Sequence, residues 1–551
     1  MDLRSPGIGV TEQERGVFMQ DESEQQGFLN VTDAIFGPWD RSDAEERPAV
    51  VYRDQIWSYR QLIDEINRVG NGLLKMGVEP EDRILLIGYD SPFFVAIMFG
   101  AMKIGAIPVP VNTYLSARDY RYFLEDSRAK VLVTQPEIWD QAASESSLGV
   151  SDLRWVMLLP GLKDASVRPQ GYGGPFLFYQ DWIEQWDTKL EAAKTHPDDM
   201  AFWLYSSGST GRPKGVVHCH KDMLFANRVY ARNILNVTER DRLYSASKLY
   251  FAYGLGNGSY FAFANGASAV LVPDKVDPLN VFTTLETSHP SLFFGVPTLF
   301  NAMLRIPNSY SPQGLRACVS AGEPLSQEIY LRWKNQFGVE ILDGIGSTEV
   351  LHIYISNRLG RSQPGTTGTV VPGYEVRIFD EDLQPVKSGD MGDLYVKGES
   401  VAPYYWGKSQ KTRESMIGEW FKTGDKYFQD VEGHFVYCGR SDDMIKVGGI
   451  WVSPIEVENA LAEHPLVMEA AVVGQRDEND LEKPAAFVVL HPDAAPGPQL
   501  ATELQNFVKE HLAHYKFPRE IYFVAELPKT ATGKIQRYRL REEKWLAKTL
   551  E

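Results

Sequence analysis

The chain is poor in cysteine, in long apolar runs and in positive charge. Its three cysteines, Cys219, Cys318 and Cys438, are an odd number with no CxxC pair. That excludes a disulfide framework and a cysteine zinc site, and it fits a reducing, cytoplasmic setting in which each thiol serves as a small buried hydrophobe. The longest apolar run, Phe93 to Met102, ends at Lys103 and is too short to cross a bilayer, so it reads as a buried helix. Residues 1–28 are polar and acid-rich, without the apolar centre of a signal peptide. Lys and Arg number 56 against 73 Asp and Glu, a net charge of -17. No broad basic surface for nucleic acid or an anionic membrane is expected, although a local basic pocket is compatible with this balance. A Walker phosphate loop is missing as well. Counting from Gly208, the sixth position is Pro213, and Lys214 is followed by Gly215, so G-x-x-x-x-G-K-[ST] fails.

The length of 551 residues, with 43% hydrophobic and 23% charged side chains, suits a globular protein of two or more domains. Apolar positions at Leu62, Ile63, Ile66, Val69, Leu73 and Leu74 have helical spacing, and Ser58 with Gln61 offers a capping box. Short apolar runs at Ile84–Ile87, Ile107–Val111 and Val131–Val133 alternate with helical patterns starting near Phe93 and Ser116. Such alternation predicts parallel sheets covered on both faces by helices. From about residue 366 short β-like runs with Gly-rich turns suggest a β-rich subdomain. The segment 439–449 is polar and Gly-flanked, a linker candidate. Beyond it, Ser453-Pro454-Ile455-Glu456 is a strong helix start, opening an α+β unit of about 110 residues. The expected division is a polar segment 1–28, a large domain 29–438, a hinge 439–443 and a small, mobile C-terminal domain 444–551, an α/β architecture throughout.

The most informative stretch is Tyr205-Ser-Ser-Gly-Ser-Thr-Gly-Arg-Pro-Lys-Gly215, in which eight of eleven residues are Ser, Thr, Gly or Lys, after the apolar run Ala201–Leu204. A strand opening into such a loop offers backbone N–H groups, hydroxyls and one ammonium to a polyphosphate. The alternative is a surface turn. His218 and His220 lack further ligands at metal-site spacing; His218 either lines a site or is structural.

The loop resembles the signature of the adenylate-forming superfamily, which includes acyl-CoA and aryl-CoA synthetases, luciferases and adenylation domains of peptide synthetases. Five more segments match in order: Ser320–Pro324, Asp343–Glu349, Lys422–Asp425, Gly439–Lys446 and Pro528–Lys534. The resemblance implies ATP, Mg²⁺ and coenzyme A as reactants and cofactors. It assigns Ser206, Ser207, Gly208, Ser209, Thr210 and Lys214 to the phosphates. Gly322, Glu323 and Pro324 fall in the adenine-contact segment, and Asp343, Gly344 and Ile345, in the metal and phosphate segment, are implied as nucleotide-binding. Thr348 is implied at the α-phosphate and Glu349 at Mg²⁺, where a hard carboxylate beside hydroxyls suits the ion. Asp425 is implied at the ribose, Arg440 at the ribose or phosphate, Asp442 as the hinge, and Lys446, Gly448 and Gly449 along a CoA channel. Lys534 is the implied catalytic lysine, delivered by a Gly-Thr loop.

Substrate class rests on Lys248–Asn257, an aromatic, Gly-rich segment in which Ser259 spoils a G-x-G-x-x-G run. It looks like the acyl-pocket segment of benzoate-CoA ligases, with Phe251, Ala252, Tyr253 and Gly254 on one wall and Gly346, His352 and Ile353 on the other. Ordinary core packing of the aromatics is the alternative. Lys248 is the one cation in the first segment and could anchor a carboxylate or not. The implied function is an AMP-forming aryl-CoA ligase for benzoate or a substituted benzoate. The alternatives are an aliphatic-acid ligase, an enzyme loading a carrier-protein thiol (no carrier domain follows residue 551), a luciferase-like oxidase and a non-catalytic nucleotide binder. A monomer or dimer is expected, without membrane insertion.

Overall fold

The computed structural model describes residues 27–40, 46–142, 152–161, 173–206, 212–307, 310–447, 450–477, 481–529 and 535–542. Ser58 caps the helix Tyr59–Lys75 in a capping box with Gln61. Ser91 caps Pro92–Lys103, which is buried along almost its whole length, and Ser116 caps Ala117–Ser127. These caps satisfy backbone N–H groups that the helices leave unpaired at their first turns.

Two sheets share one core. The first is wholly parallel, with Arg83–Ile87 between Ile107–Pro110 and Val131–Thr134, followed by Trp155–Leu158 and Phe176–Phe178. The second has nine strands and is parallel through its centre, where Arg242–Ser245, Leu292–Gly295, Ala317–Ser320 and Ile341–Gly346 lie side by side. Residues of both sheets (Ile84, Val131, Val50, Leu243, Phe294) join Leu62, Val69, Val95 and Phe99 of the two long helices in a single apolar cluster. A second cluster covers the other face of the nine-stranded sheet with the helices Pro278–Ser288, Pro297–Leu304 and Gln327–Phe337.

The β-rich region is a five-stranded antiparallel sheet that includes Glu375–Phe379, Gly392–Lys397, Trp420–Gln429 and Phe435–Arg440. The described part of the polar stretch, residues 439–447, continues the strand Phe435–Arg440, makes a 3₁₀ turn over Ser441–Asp443 and enters the strand Ile445–Val447. Its polar side chains are paired: Asp443 meets Arg541 at 2.7 Å, and the Ser441 hydroxyl donates to Asp393 at 2.9 Å. The C-terminal part has its own cores around the three-stranded sheet of Val467–Arg476, Glu482–Leu490 and Glu520–Phe523, packed with the helices Pro454–Ala462 and Pro498–His511. Ser453 caps the first of these helices and also donates to the Cys438 carbonyl across the turn. No helix among the described residues is long and apolar enough to cross a membrane.

Candidate active site

In parallel sheets ligands gather at the carboxyl ends of the strands, where loops and helix starts supply polar groups. Here Gly295, Ser320 and Asp343 share a register where the parallel pairing of three neighbouring strands ends. Gly322, Glu323 and Pro324 follow directly from one of them. The loop-forming hairpin lies close by. Its strands Met200–Ser206 and Lys214–Cys219 are antiparallel and pair Ser206 with Lys214. Both arms are fixed to the helix Ala117–Ser127: the Tyr205 hydroxyl donates to Asp126 at 2.8 Å, and the Pro213 carbonyl accepts from Tyr122 at 2.7 Å. Ser207, Gly208, Ser209 and Thr210, between the arms, lie outside the described residues.

Glu349 is the centre of a polar cluster. Its Oε1 accepts from the Ser206 hydroxyl at 3.1 Å and from the Tyr405 hydroxyl at 2.9 Å, with the Lys214 ammonium at 3.7 Å. That ammonium sits 4.2 Å from the centre of the Tyr405 ring, a cation–π contact. Burial pulls the Lys214 pKa below the usual lysine value, while the nearby Glu349 carboxylate acts the other way. Thr348 and Glu349 occupy a short 3₁₀ turn, Thr348–Val350, that leaves the strand Ile341–Gly346.

Asp425 and Arg440 face each other across two strands and form an ion pair of 3.0 Å. The same guanidinium donates to the Thr423 carbonyl at 3.1 Å. Asp425 holds the Arg440 pKa above even its usual value. Asp425, Arg440 and Glu349 all lie near enough to act on the Tyr354 phenol, whose pKa burial raises. The ribose, metal and phosphate candidates are therefore brought together from segments far apart in sequence. Asp343 differs. Its side chain enters a hollow with Leu325, Tyr330, Ile341 and Asn357, where burial drives its pKa far up and Oδ1 has no hydrogen-bond partner. Gly344 and Ile345 extend the same strand, pairing with Ser356 and Ile355.

The two proposed acyl walls meet at His352. Its ring centroid lies 5.8 Å from Tyr253, 5.2 Å from Tyr230 and 4.4 Å from Phe261. Its Nε2 contacts Asn257 Oδ1 at 3.1 Å, and burial pushes its pKa down to about 3, so the ring is neutral. Tyr253 is pinned at the carboxyl edge by donating to the Val319 carbonyl at 3.0 Å. Close packing dictates small residues here. A Cβ on Gly256 would meet His352 Cδ2 at 2.6 Å, and one on Gly346 would meet the His352 carbonyl oxygen at 2.7 Å. Ala252 and Ile353 are buried, while Phe251 is half-buried beside Tyr250. Lys248 does not reach this space as a free cation. Its ammonium donates to the carbonyls of Val272 at 2.6 Å and Asp274 at 2.7 Å.

Asp442 lies on the 3₁₀ turn between strands. The Lys446 ammonium is 4.8 Å from the Trp451 ring centre, and its backbone N–H donates to Glu482 at 3.0 Å. Gly448, Gly449 and Lys534 lie outside the described residues. The base of the Lys534 loop is described: Lys529 bridges to Ile535, and Gln536 N–H donates to the Pro528 carbonyl at 2.8 Å. Tyr405 and Asp222 escaped the sequence reading. Tyr405 stands in an aromatic triplet, Tyr404-Tyr405-Trp406, which signals packing, and no local spacing ties it to Glu349.

Residues 39–406 match the model of the AMP-binding enzyme family, and residues 456–534 match the AMP-binding enzyme C-terminal domain. The chain is 47% identical over 498 residues to a benzoate–CoA ligase of Thauera aromatica, covering 89% of this chain and 92% of the relative. It is 42% identical over 514 residues to a 4-hydroxybenzoate–CoA/benzoate–CoA ligase of Rhodopseudomonas palustris, covering 91% and 92%. Among solved structures, an anthranilate CoA ligase in complex with anthranoyl-AMP superposes with a TM-score of 0.88 at 38% identity, over 96% of this chain and 100% of that one. A benzoate CoA ligase from Burkholderia xenovorans gives 0.84 at 41% identity, over 93% and 100%. With a family match across most of its length and relatives of this identity, the chain belongs to the AMP-binding enzyme family.

Proposed function

We infer that this protein is an ATP-dependent, AMP-forming aryl-CoA ligase that activates benzoate or a substituted benzoate and passes it to coenzyme A. The carrying observation is the near-full-length likeness to benzoate–CoA ligases. The charged cluster around Glu349 and the aromatic walls around His352 add chemical support.

A carboxylate is a weak electrophile. In the first half-reaction its oxygen attacks the α-phosphorus of ATP, forming the acyl-adenylate as pyrophosphate leaves. In the second, the CoA sulfur attacks the acyl carbon, the thioester forms and AMP departs. Each step asks mainly for placement and charge neutralisation. Lys214 and the Ser/Thr/Gly loop would hold the terminal phosphates, and the Thr348 hydroxyl the α-phosphate. Asp425, oriented by Arg440, accepts from the ribose hydroxyls. Among the described residues no group of three or more His, Cys, Asp or Glu could hold a metal by itself. Glu349, beside the Ser206 hydroxyl, would hold Mg²⁺, a hard cation that suits a carboxylate oxygen. When bound, that ion supplies charge neutralisation at the phosphates. Lys534 would stabilise the carboxylate and α-phosphate as they meet. The neutral, buried His352 and the pinned Tyr253 give flat walls that suit a ring. The three buried thiols fit a reducing, cytoplasmic setting.

A panel of aromatic and aliphatic acids with ATP and CoA tests this reading, scored for AMP release and thioester. Benzoate and small ring-substituted benzoates should give the highest kcat/KM. Preference for linear acids would overturn the aryl assignment, and absence of AMP would overturn the reaction class.

A further inference from the structure

The turn Thr348–Val350 is held under backbone strain. It is followed by Leu351 at φ 73° and ψ -44°, a conformation rare for a side chain of this size. Such strain persists only where the surroundings over-determine it. Each carbonyl of the turn is clamped, two of them by the segment 400–402 and one by a histidine: Glu349 O accepts from Ala402 N–H at 2.8 Å, Val350 O from the Ser400 hydroxyl at 2.8 Å, and Thr348 O from His218 Nε2 at 2.8 Å. The third clamp is a side-chain pair. His218 Nδ1 lies 2.8 Å from Asp222 Oδ2, and that same oxygen accepts the Cys219 N–H at 3.0 Å. His218 is 0% and Asp222 1% exposed, and the imidazole stacks on Phe202 with centroids 5.1 Å apart.

We propose that His218, oriented by Asp222, is a positioning residue for the adenylation half-reaction, fixing the Thr348 carbonyl and thereby aiming the Thr348 and Glu349 side chains. This rests on the assignment of those two residues to the phosphates and Mg²⁺. A carbonyl oxygen only accepts, so Nε2 must carry a hydrogen. Asp222 Oδ2 already accepts from Cys219, so a second hydrogen lies between it and Nδ1. The dyad thus needs an acidic partner at Asp222. An asparagine there would have to present its oxygen to the Cys219 N–H; Nδ1 would then donate to it, and the neutral ring would turn a bare Nε2 toward the Thr348 carbonyl. The logic is that of a buried carboxylate supporting a ring whose two nitrogens both face acceptors, so that the pair holds one hydrogen more than a carboxylate beside a neutral imidazole.

The test compares Asp222→Asn, His218→Leu, His218→Gln and Glu349→Gln in the full chain. Benzoate-dependent ATP–pyrophosphate exchange, thioester formation from supplied benzoyl-adenylate and CoA, and thermal unfolding are measured on each. Asp222→Asn and His218→Leu should lower kcat for exchange on the order of 10–100-fold, as loss of an orienting partner does, while the thioester step changes by less than about threefold. His218→Gln, whose amide can still donate to the Thr348 carbonyl, should recover part of the loss even where His218→Leu folds poorly. Equal loss in both half-reactions, or unchanged exchange in Asp222→Asn, overturns the proposal. Loss in Glu349→Gln with unchanged exchange in both histidine variants overturns it alone, whereas unchanged exchange in Glu349→Gln overturns the assignment beneath it.

Discussion

The Lys248 ammonium is buried against two carbonyls, with Asp90 Oδ2 at 4.0 Å. It ties the start of the Tyr253 segment to residues 272–274 rather than greeting an incoming acid. Asp90 itself accepts the Leu249 N–H at 3.0 Å, and burial pushes its pKa up from 3.8 to about 6 despite the neighbouring ammonium. Because the folded-state pKa is raised, the stability linked to Asp90 is fully present below about pH 4 and is lost as pH rises through 6. The shift corresponds to about 3 kcal/mol at neutral pH. Lys248→Met removes the one nearby cation that opposes this shift and leaves two carbonyls unpaired. It should destabilise the protein by about 2 kcal/mol or more at pH 8 and less at pH 5, with the KM for benzoate unchanged in whatever enzyme stays folded. Denaturant titrations at both pH values check the sign. A selective rise in benzoate KM without loss of stability would restore Lys248 as an anchor.

At the scale of elements, Gly254 shows how backbone packing sets the candidate acyl wall. A Cβ there would meet the Lys248 carbonyl oxygen at 2.1 Å and that of Ser247 at 2.4 Å. Neither is a flexible side chain that can swing away, so the short helix Ala252–Leu255 would have to shift, carrying the pinned Tyr253 with it. Gly254→Ala should therefore cost about 1–3 kcal/mol and raise the KM for benzoate more than that for ATP; steady-state kinetics and melting curves decide it. The elements that were legible in the sequence are those specified locally. The Ser58–Gln61 box, the Ser453-Pro454 start and the buried run from Phe93 appear where their residues placed them. The charged motifs were legible through resemblance, and the fold brings Ser206, Lys214, Glu349, Asp425 and Arg440 to one region. What escaped is long-range. Tyr405 meets Glu349 across 56 residues and His218 meets Thr348 across 130, pairings that depend on how sheets stack and leave no periodic trace.

At the scale of the whole molecule, the proposed roles of Lys534 and of the CoA-channel residues imply that the two half-reactions use different groups. The C-terminal part has separate cores and joins the antiparallel sheet through the turn Ser441–Asp443. We propose that rotation about Asp442 exchanges the Lys534 loop for the segment that carries Lys446, Gly448 and Gly449, a hinge of the kind in which a few residues absorb the backbone change. Two substitutions then separate the steps. Lys534→Ala should lower ATP–pyrophosphate exchange by on the order of 10²–10³-fold, the scale for removing one preorganised stabilising group, yet leave thioester formation from supplied benzoyl-adenylate near its normal rate. Gly449→Trp should do the reverse if Gly449 lines the CoA channel, because bulk there would obstruct pantetheine and leave AMP transfer alone. If either variant lowers both half-reactions alike, a single fixed arrangement serves the whole reaction and the alternation is wrong.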